Sequence, residues 1–451
     1  MTKSLVSGAK LIIETLLDHG FEAYMVGGSV RDMVLKRNVK DYDIATSAKP
    51  EQVQQLFTHT IPTGLQHGTV TVVWGGHVYE VTTYRKESGY EDFRRPSEVE
   101  YIDNLYEDLR RRDFTMNAMA MSLEGEIIDP FNGMADIDDK VLRCVGEAPE
   151  RFHEDALRML RCIRFAAEFE LHIEEQTWAA LLAQAPLLNH IAMERVRMEL
   201  ERMVAGANPE RAVKLLACSR LLALTKEALL LAHLPQEQLS PGWGHLPEPA
   251  VKWAYLYLLV RVTPVQLEQE LRKLTFAKQR VEEIRRVVAA VYELAGQPGQ
   301  SDVRSAQAAG GQPVGTTGES QAVALTETAA PLERGWKLAA LEYGAAALGS
   351  VIELARRVPQ VLQLSGISAE ACKLISQHGA DWLQEMPVQR IDQLDVRGKE
   401  LLSHIGQPAG PWVAQVLQHL LRETALQRLA NDKPALLAEA ERIAKTLNTA
   451  Q

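Results

Sequence analysis

The sequence predicts an α+β fold, a mixed-sheet head followed by an all-α arm, and three observations carry that expectation. Strand-like segments are confined to residues 1–145: AYMV at 23–26, TVTVVW at 69–74 and VYEVTTYR at 78–85, all rich in β-branched and aromatic residues. Beyond Glu147 the apolar residues recur at helical spacing almost to the end of the chain. The head opens on a strand, a glycine turn, a short helix and a second strand, so that backbone amides and acidic side chains converge. At 451 residues the chain divides most simply into two to four units, on a prior of about 150 residues per domain.

Each element has a local cause. Gly27 and Gly28 in GGSVRD end the first strand, because glycine enters positive φ at little cost. A helix is expected over 30–36, then a second strand, KDYDIAT, carrying both Asp41 and Asp43. Gly75-Gly76 between two β-rich runs reads as a tight hairpin, whose turn needs positive φ. Helices are expected over 151–169, 175–182, 192–204, 209–216, 250–260, 263–271 and 278–294. Residues 296–331, rich in Gly, Gln, Ser, Thr and Ala and poor in large apolar side chains, read as a flexible linker or disordered insertion. Helices resume near Trp336. In this tail LDVRGKELL (394–402) and QPAGPWVAQVLQHLL (407–421) set Gly or Pro just before helix starts. That pattern fits an amide nest for a phosphate and an ordinary helix cap equally.

Composition narrows the function. The net charge of −10 argues against a protein that holds nucleic acid through a global basic field, so RNA contact would come from local basic patches. The four cysteines, Cys144, Cys162, Cys218 and Cys372, are scattered without a C-x-x-C pair and read as small buried hydrophobes. No run approaches the ~18 apolar residues of a membrane span, and MTKSLVSGAK lacks a secretory apolar core. A cytoplasmic protein is the expectation.

The chemistry concentrates in a few segments. Two carboxylates at i and i+2 of a strand face the same way, so Asp41 and Asp43 can hold a divalent metal. Alone, a D-x-D is usually a solvated pair; behind a Gly-Gly turn that admits a triphosphate, with Arg31 beside it, the pair becomes a metal and nucleotide site. Arg110, Arg111 and Arg112 precede a small apolar run that reads as a helix start, and Arg112 is the candidate for a second phosphate clamp. Glu80, on the strand expected beside Asp43, fits a third metal carboxylate and an exposed cross-strand residue equally. In HEDALRMLRCIRF a single helix would set Glu154, Asp155, Arg158 and Arg161 on one half, away from the apolar Ala156, Leu157, Leu160, Ile163 and Ala167. The bland account is a salt-bridge ladder. The functional one is a protein surrogate for a templating base. Asp155 accepts from the exocyclic amino group of cytosine or adenine, Arg158 donates beside it, and uracil and guanine are refused.

Taken in order, GGSVRD, DYDIATSAKP, GLQHGTVTV, EVTTYR, YEDFRRP, RRDFTMNAMAM, IIDPFNG and RFHEDALRMLRCIRF resemble a class II tRNA nucleotidyltransferase, the bacterial CCA-adding type of Bacillus. The resemblance is dense over the first 205 residues and thinner in the tail. It implies a polymerase β-like head at 1–145, a nucleotide-selecting neck at 146–205, a body at 206–295, the linker at 296–331 and a tRNA-binding tail at 332–451. It implies magnesium on Asp41 and Asp43, nucleotide held by Gly28, Arg31 and Arg112, and a pocket lined by Asp155, Arg158, Arg161 and Arg164, with Glu154 steadying Arg158. The family's flexible loop corresponds to 86–102, including Tyr90, Glu91, Asp92, Arg94 and Arg95. No His-Asp pair of an added phosphohydrolase domain is found, so transferase activity alone is expected.

The activity implied is addition of C, C and A to the 3′ end of tRNA from CTP and ATP, with release of pyrophosphate. Three rivals remain: a poly(A) polymerase with the same head chemistry, a partial enzyme adding only some of the three nucleotides, and a catalytically silent RNA-binding module. The loop at 86–102 argues against CC-only addition. The paired aspartates and Arg112 argue against a silent domain.

Overall fold

The computed structural model describes residues 4–65, 68–91, 95–296 and 318–449. They form two compact units, residues 1–232 and 233–451.

The first unit opens with α1 (Leu5–Asp18), whose start is fixed by the Ser4 side chain accepting from the Ser7 N–H and whose buried stripe includes Ile12, Ile13 and Leu16. The head then runs β1 (Ala23–Val26), α2 (Gly28–Val34), β2 (Asp43–Thr46), α3 (Pro50–Leu56), β3 (Thr60–Gly64), β4 (Thr69–Trp74) and β5 (His77–Thr83). Strands β6 (Arg85–Glu91) and β7 (Arg95–Tyr101) pair as a separate antiparallel hairpin. Strands β8 (Ala120–Met121) and β9 (Ile127–Ile128) complete a seven-stranded sheet of order β3-β4-β5-β2-β1-β8-β9. The sheet is mixed as expected: β2 and β5 are parallel, and their register sets Asp43 opposite Glu80. Gly75 and Gly76 take φ of 61° and 83° at the β4–β5 turn, the conformation that hairpin requires. Val26, Ala45, Tyr84, Leu109, Ala118, Ala120 and Val145 form one buried apolar cluster that draws on the adjacent strands β2, β1 and β8.

Helices α4 (Leu105–Arg110), α5 (Gly133–Asp138), α6 (Ala148–Glu154), α7 (Leu157–Glu168), α8 (Glu175–Gln184), α9 (Met193–Ala205) and α10 (Pro209–Ser219) follow. Several expectations are corrected. Helix α2 begins two residues earlier than periodicity suggested, and Asp41 precedes β2 rather than lying on it. The three arginines sit at the C-terminal end of α4, where their charge meets the carbonyl ends of the helix, not at a helix start. The helix expected over 151–169 is broken at Asp155. There φ is −137° and ψ 102°, and the carboxylate accepts from the Leu157 N–H at 3.1 Å. Strands do not quite stop at Glu147, since β10 (Val141–Leu142) pairs in parallel with β11 (His172–Ile173). The segment expected as a flexible loop, 86–102, is mostly strand; Asp92 and Arg94 lie outside the described residues.

The second unit is helical throughout its described residues: α11 (Pro249–Leu259), α12 (Pro264–Lys273), α13 (Lys278–Ala295), α14 (Gly318–Tyr343), α15 (Ala345–Arg357), α16 (Pro359–Leu364), α17 (Ala369–Gln384), α18 (Gly398–Ile405), α19 (Trp412–Ala425) and α20 (Lys433–Thr449). Proline at the first position and a capping box at Thr263 set the start of α12. Helix α14 starts at Gly318, so the last part of the expected linker is helical, while residues 297–317 lie outside the described residues. At the start of α18 the Glu400 carboxylate accepts from the Arg397 N–H at 2.8 Å and is paired with Lys433. A protein carboxylate therefore already fills the anion position there, which favours the capping reading over a phosphate nest. Among the described residues no helix is long and apolar enough to cross a membrane.

Candidate active site

The glycine turn, the end of α4, the lead into β2 and the helices α7 and α9 converge on one cavity of about 650 Å³ in the first unit. Gly27 has φ 69° and ψ −130°, backbone that side chains other than glycine's strain to adopt. A Cβ there would stand 2.8 Å from Arg112 Nη1 and 3.9 Å from Asp43 Oδ2. The turn therefore needs glycine twice, for its backbone and for the guanidinium lying across it. Gly27→Ala is expected to cost ~1–3 kcal/mol of stability and to raise the KM for nucleotide about 10-fold to 100-fold by displacing Arg112. A melting curve and a CTP titration check both.

Asp41 and Asp43 both line the cavity. Burial, then the charges of Glu80 and Asp41, push the Asp43 carboxyl up to about 6, with Arg112 opposing them. This is an unbalanced negative site that a cation would relieve, and its oxygen donors are those that hard divalent ions prefer. Among the described residues no group of three or more His, Cys, Asp or Glu side chains is arranged to hold a metal. The aspartates would thus share a divalent ion with water and phosphate oxygens. Glu80 stands opposite Asp43 in the sheet but is exposed and does not line the cavity; it acts on Asp43 through charge.

Eight arginines and five carboxylates line the cavity, a local positive excess in a chain of net charge −10. Arg158 and Arg164 are 8% and 9% exposed, so these two charged side chains of α7 are enclosed in the cavity wall and not spread on a solvated face. Arg158 donates to Glu154 Oε2 at 2.6 Å, to the Arg151 carbonyl at 3.1 Å and to the Arg111 carbonyl at 2.9 Å, which fixes its guanidinium. Asp155 is held separately: its Oδ2 accepts from Arg195 Nη2 at 3.0 Å. The two side chains expected to act together are therefore anchored by different partners, and both line the cavity. Arg164 donates to Glu199 at 2.7 Å and Arg161 to Asp113 at 2.8 Å.

Sequence reasoning missed the residues that hold these groups in place. Arg31 donates to Asn117 Oδ1 at 2.7 Å, and Asn117 donates in turn to Asp113 at 3.0 Å, so one chain of bonds joins α2 to Arg161 on α7. Burial alone would raise the Asp113 carboxyl, but the Arg161 charge, the Asn117 hydrogen bond and the Arg158 charge bring it down to about 2. Arg31 also lies 4.4 Å from the centre of the Phe169 ring. Asp108, buried, takes both Arg111 and Arg112. The i, i+4 spacing of Asp113 and Asn117 in RRRDFTMN was a usable signal; Arg195 and Glu199, about 40 residues from their partners, gave none.

Residues 23–143 match the family described as the poly A polymerase head domain, 170–230 the RNA and SrmB-binding site of polymerase A, and 332–440 the tRNA nucleotidyltransferase domain 2. The CCA-adding enzyme of Bacillus cytotoxicus is 37% identical over 441 residues, 95% of this chain and 96% of that one. That of Lactiplantibacillus plantarum is 36% identical over 441 residues, 98% of this chain and 97% of that one. The crystal structure of the Bacillus stearothermophilus CCA-adding enzyme in complex with CTP superposes with a TM-score of 0.76 at 32% identity, covering 100% of both chains. On likeness that spans head to tail, the chain belongs to the CCA-adding enzyme family of tRNA nucleotidyltransferases.

Proposed function

We propose that the protein adds C, C and A in turn to the 3′ end of tRNA, drawing on CTP and ATP, releasing pyrophosphate and using no nucleic-acid template. The observation that supports this most directly is that Asp41, Asp43, Arg112, Asp155 and Arg158 line one cavity, so metal, phosphate and base-reading groups open on the same space.

In this reading Asp41 and Asp43 hold the divalent cation that the family's chemistry requires, magnesium being the ion proposed. When bound, that ion supplies Lewis acidity to the RNA 3′-hydroxyl and to the triphosphate. Gly28, Arg31 and Arg112 bind the phosphates. Asp155 accepts from the exocyclic amino group of cytosine or adenine, Arg158 donates to the ring position beside it, and Glu154 keeps that guanidinium turned inward. Arg161 and Arg164 line the pocket, and Glu80 only adjusts the charge on Asp43. The reading divides the chain into head (1–145), neck (146–205), body (206–295), linker (296–331) and tRNA-binding tail (332–451), in a cytoplasmic protein.

Incubation of the purified protein with a tRNA lacking its 3′ end tests the proposal. CTP alone is expected to add two residues, ATP alone none, and both together three. A long tract from ATP alone would instead make it a poly(A) polymerase, and arrest after two residues with both present would make it a partial enzyme.

A further inference from the structure

We propose that Met198 and Arg202 on α9 hold the terminal nucleotide of the RNA being extended, the base against Met198 and its phosphate on Arg202. This inference rests on the function proposed above and names the part of the site that receives the second substrate.

A cavity that joins two substrates needs a wall for each, and the buried arginines of α7 supply only one. Three large apolar side chains line the cavity: Leu157, Phe165 and Met198. Leu157 and Phe165 are buried, whereas Met198 is 42% exposed. A lone exposed methionine is ordinary on a protein surface; this one lies on the lining of a cavity whose other exposed side chains are mostly charged. A flexible, polarizable thioether there offers the face of an unpaired base an apolar surface without demanding a particular base.

Arg202 follows one turn later on the same face, ~6 Å along the helix axis, a span a base and its own phosphate can bridge. Its side chain is 52% exposed and is held by Glu199 Oε1 at 2.9 Å. Glu199, 2% exposed, uses its other oxygen to accept from Arg164 at 2.7 Å. One buried carboxylate thus serves two guanidiniums, one inside the pocket and one at its rim. Arg164 also donates to Glu168 at 3.2 Å, so Glu199 does not balance both guanidiniums alone, and with eight arginines against five carboxylates on the cavity lining Arg202 keeps attraction for an anion while Glu199 fixes its position. Single-stranded RNA, with a phosphate at each step and unstacked bases, matches both halves of this surface.

Steady-state kinetics on the full chain decide the matter, with CTP binding measured separately in the absence of RNA. Arg202→Ala is expected to raise the KM for tRNA about 10-fold and to lower the slope of log affinity against log salt by ~0.7, the value of one single-strand phosphate contact. Arg202→Lys should recover part of the loss. Met198→Ala should raise the KM for tRNA by about 10-fold with the salt slope unchanged. CTP affinity should stay within about 2-fold of wild type in all three, whereas a merely structural part played through Glu199 and Arg164 would weaken CTP in step with tRNA. Unchanged KM for tRNA in both alanine variants, or parallel loss of CTP binding, overturns the inference while wild-type extension of tRNA leaves the proposed function standing. Failure of the wild-type protein to extend tRNA at all overturns both.

Discussion

Asp43→Asn is expected to abolish nucleotide addition, by on the order of 10³-fold, and at the same time to stabilise the metal-free protein above pH 6. Both effects come from one carboxyl. Burial, Glu80 and Asp41 hold it at about 6, so the folded chain binds that proton more tightly than the unfolded chain does. Folding stability contributed by this group is therefore present at low pH and is lost as pH rises from the ordinary carboxyl range through about 6. Above that point the folded chain carries a buried negative charge beside two others that Arg112 only partly offsets. A divalent cation removes the penalty; an amide never incurs it.

The measurement is a set of melting curves. Wild type should gain stability from magnesium at about pH 7.5 and lose most of that gain at about pH 5.5, where protons compete for Asp43. The asparagine variant should melt higher than metal-free wild type at the upper pH, respond little to magnesium at either, and bind tRNA within about 2-fold of wild type. Asp41→Ala should lose activity as well, with a smaller change in metal-free stability because Asp41 is exposed. Full activity in the asparagine variant, or an equal response to magnesium, would remove the metal argument altogether.

How much of this could be read from the chain follows the range of the forces involved. The strand at 23–26, the Gly75-Gly76 hairpin and the helices expected over 175–182, 209–216 and 278–294 were legible, the helices ending one to three residues later than expected, because periodicity and positive-φ glycines act over a few residues. Asp41 and Asp43 were legible as a pair, yet Asp41 falls just short of β2 because pairing with β1 and β5 begins at Asp43. The break at Asp155 was not read, since apolar spacing continues straight through it. The signal was local all the same: an aspartate two residues before Leu157 can accept its N–H, as this one does. Burial of Arg158 and Arg164 was beyond periodicity, which sees charge and infers solvent. Their partners, Arg111 by its carbonyl and Glu199 by its carboxylate, lie 47 and 35 residues away. Helix α14 entering the low-complexity stretch at Gly318 shows the converse limit, because Ala, Glu and Gln favour helix even where large apolar residues are scarce.

The break at Asp155 also shapes the second large expectation, that Asp155→Asn relaxes base choice and Asp155→Ala does not merely repeat it. In wild type the carboxylate only accepts, so an incoming base must present an amino group at the edge position where cytosine and adenine carry one and uracil and guanine carry a carbonyl. An asparagine offers both an acceptor and a donor, and its amide can turn to face a carbonyl. UTP and GTP should then enter, with discrimination against them falling by ~1–3 kcal/mol, about 5-fold to 150-fold. The Asn side chain can still accept from the Leu157 N–H, so its melting temperature should stay close to wild type. Alanine removes that bond and the Arg195 ion pair together. It should lower kcat/KM for CTP and ATP and cost ~1 kcal/mol of stability from the lost cap alone. Arg195→Ala separates the remaining possibility. If Asp155 mattered only as the partner of Arg195, that variant and Asp155→Asn would show the same modest loss of stability and the same unchanged order of nucleotide preference. A shift in preference confined to the substitution at Asp155 identifies the carboxylate as the group that reads the base.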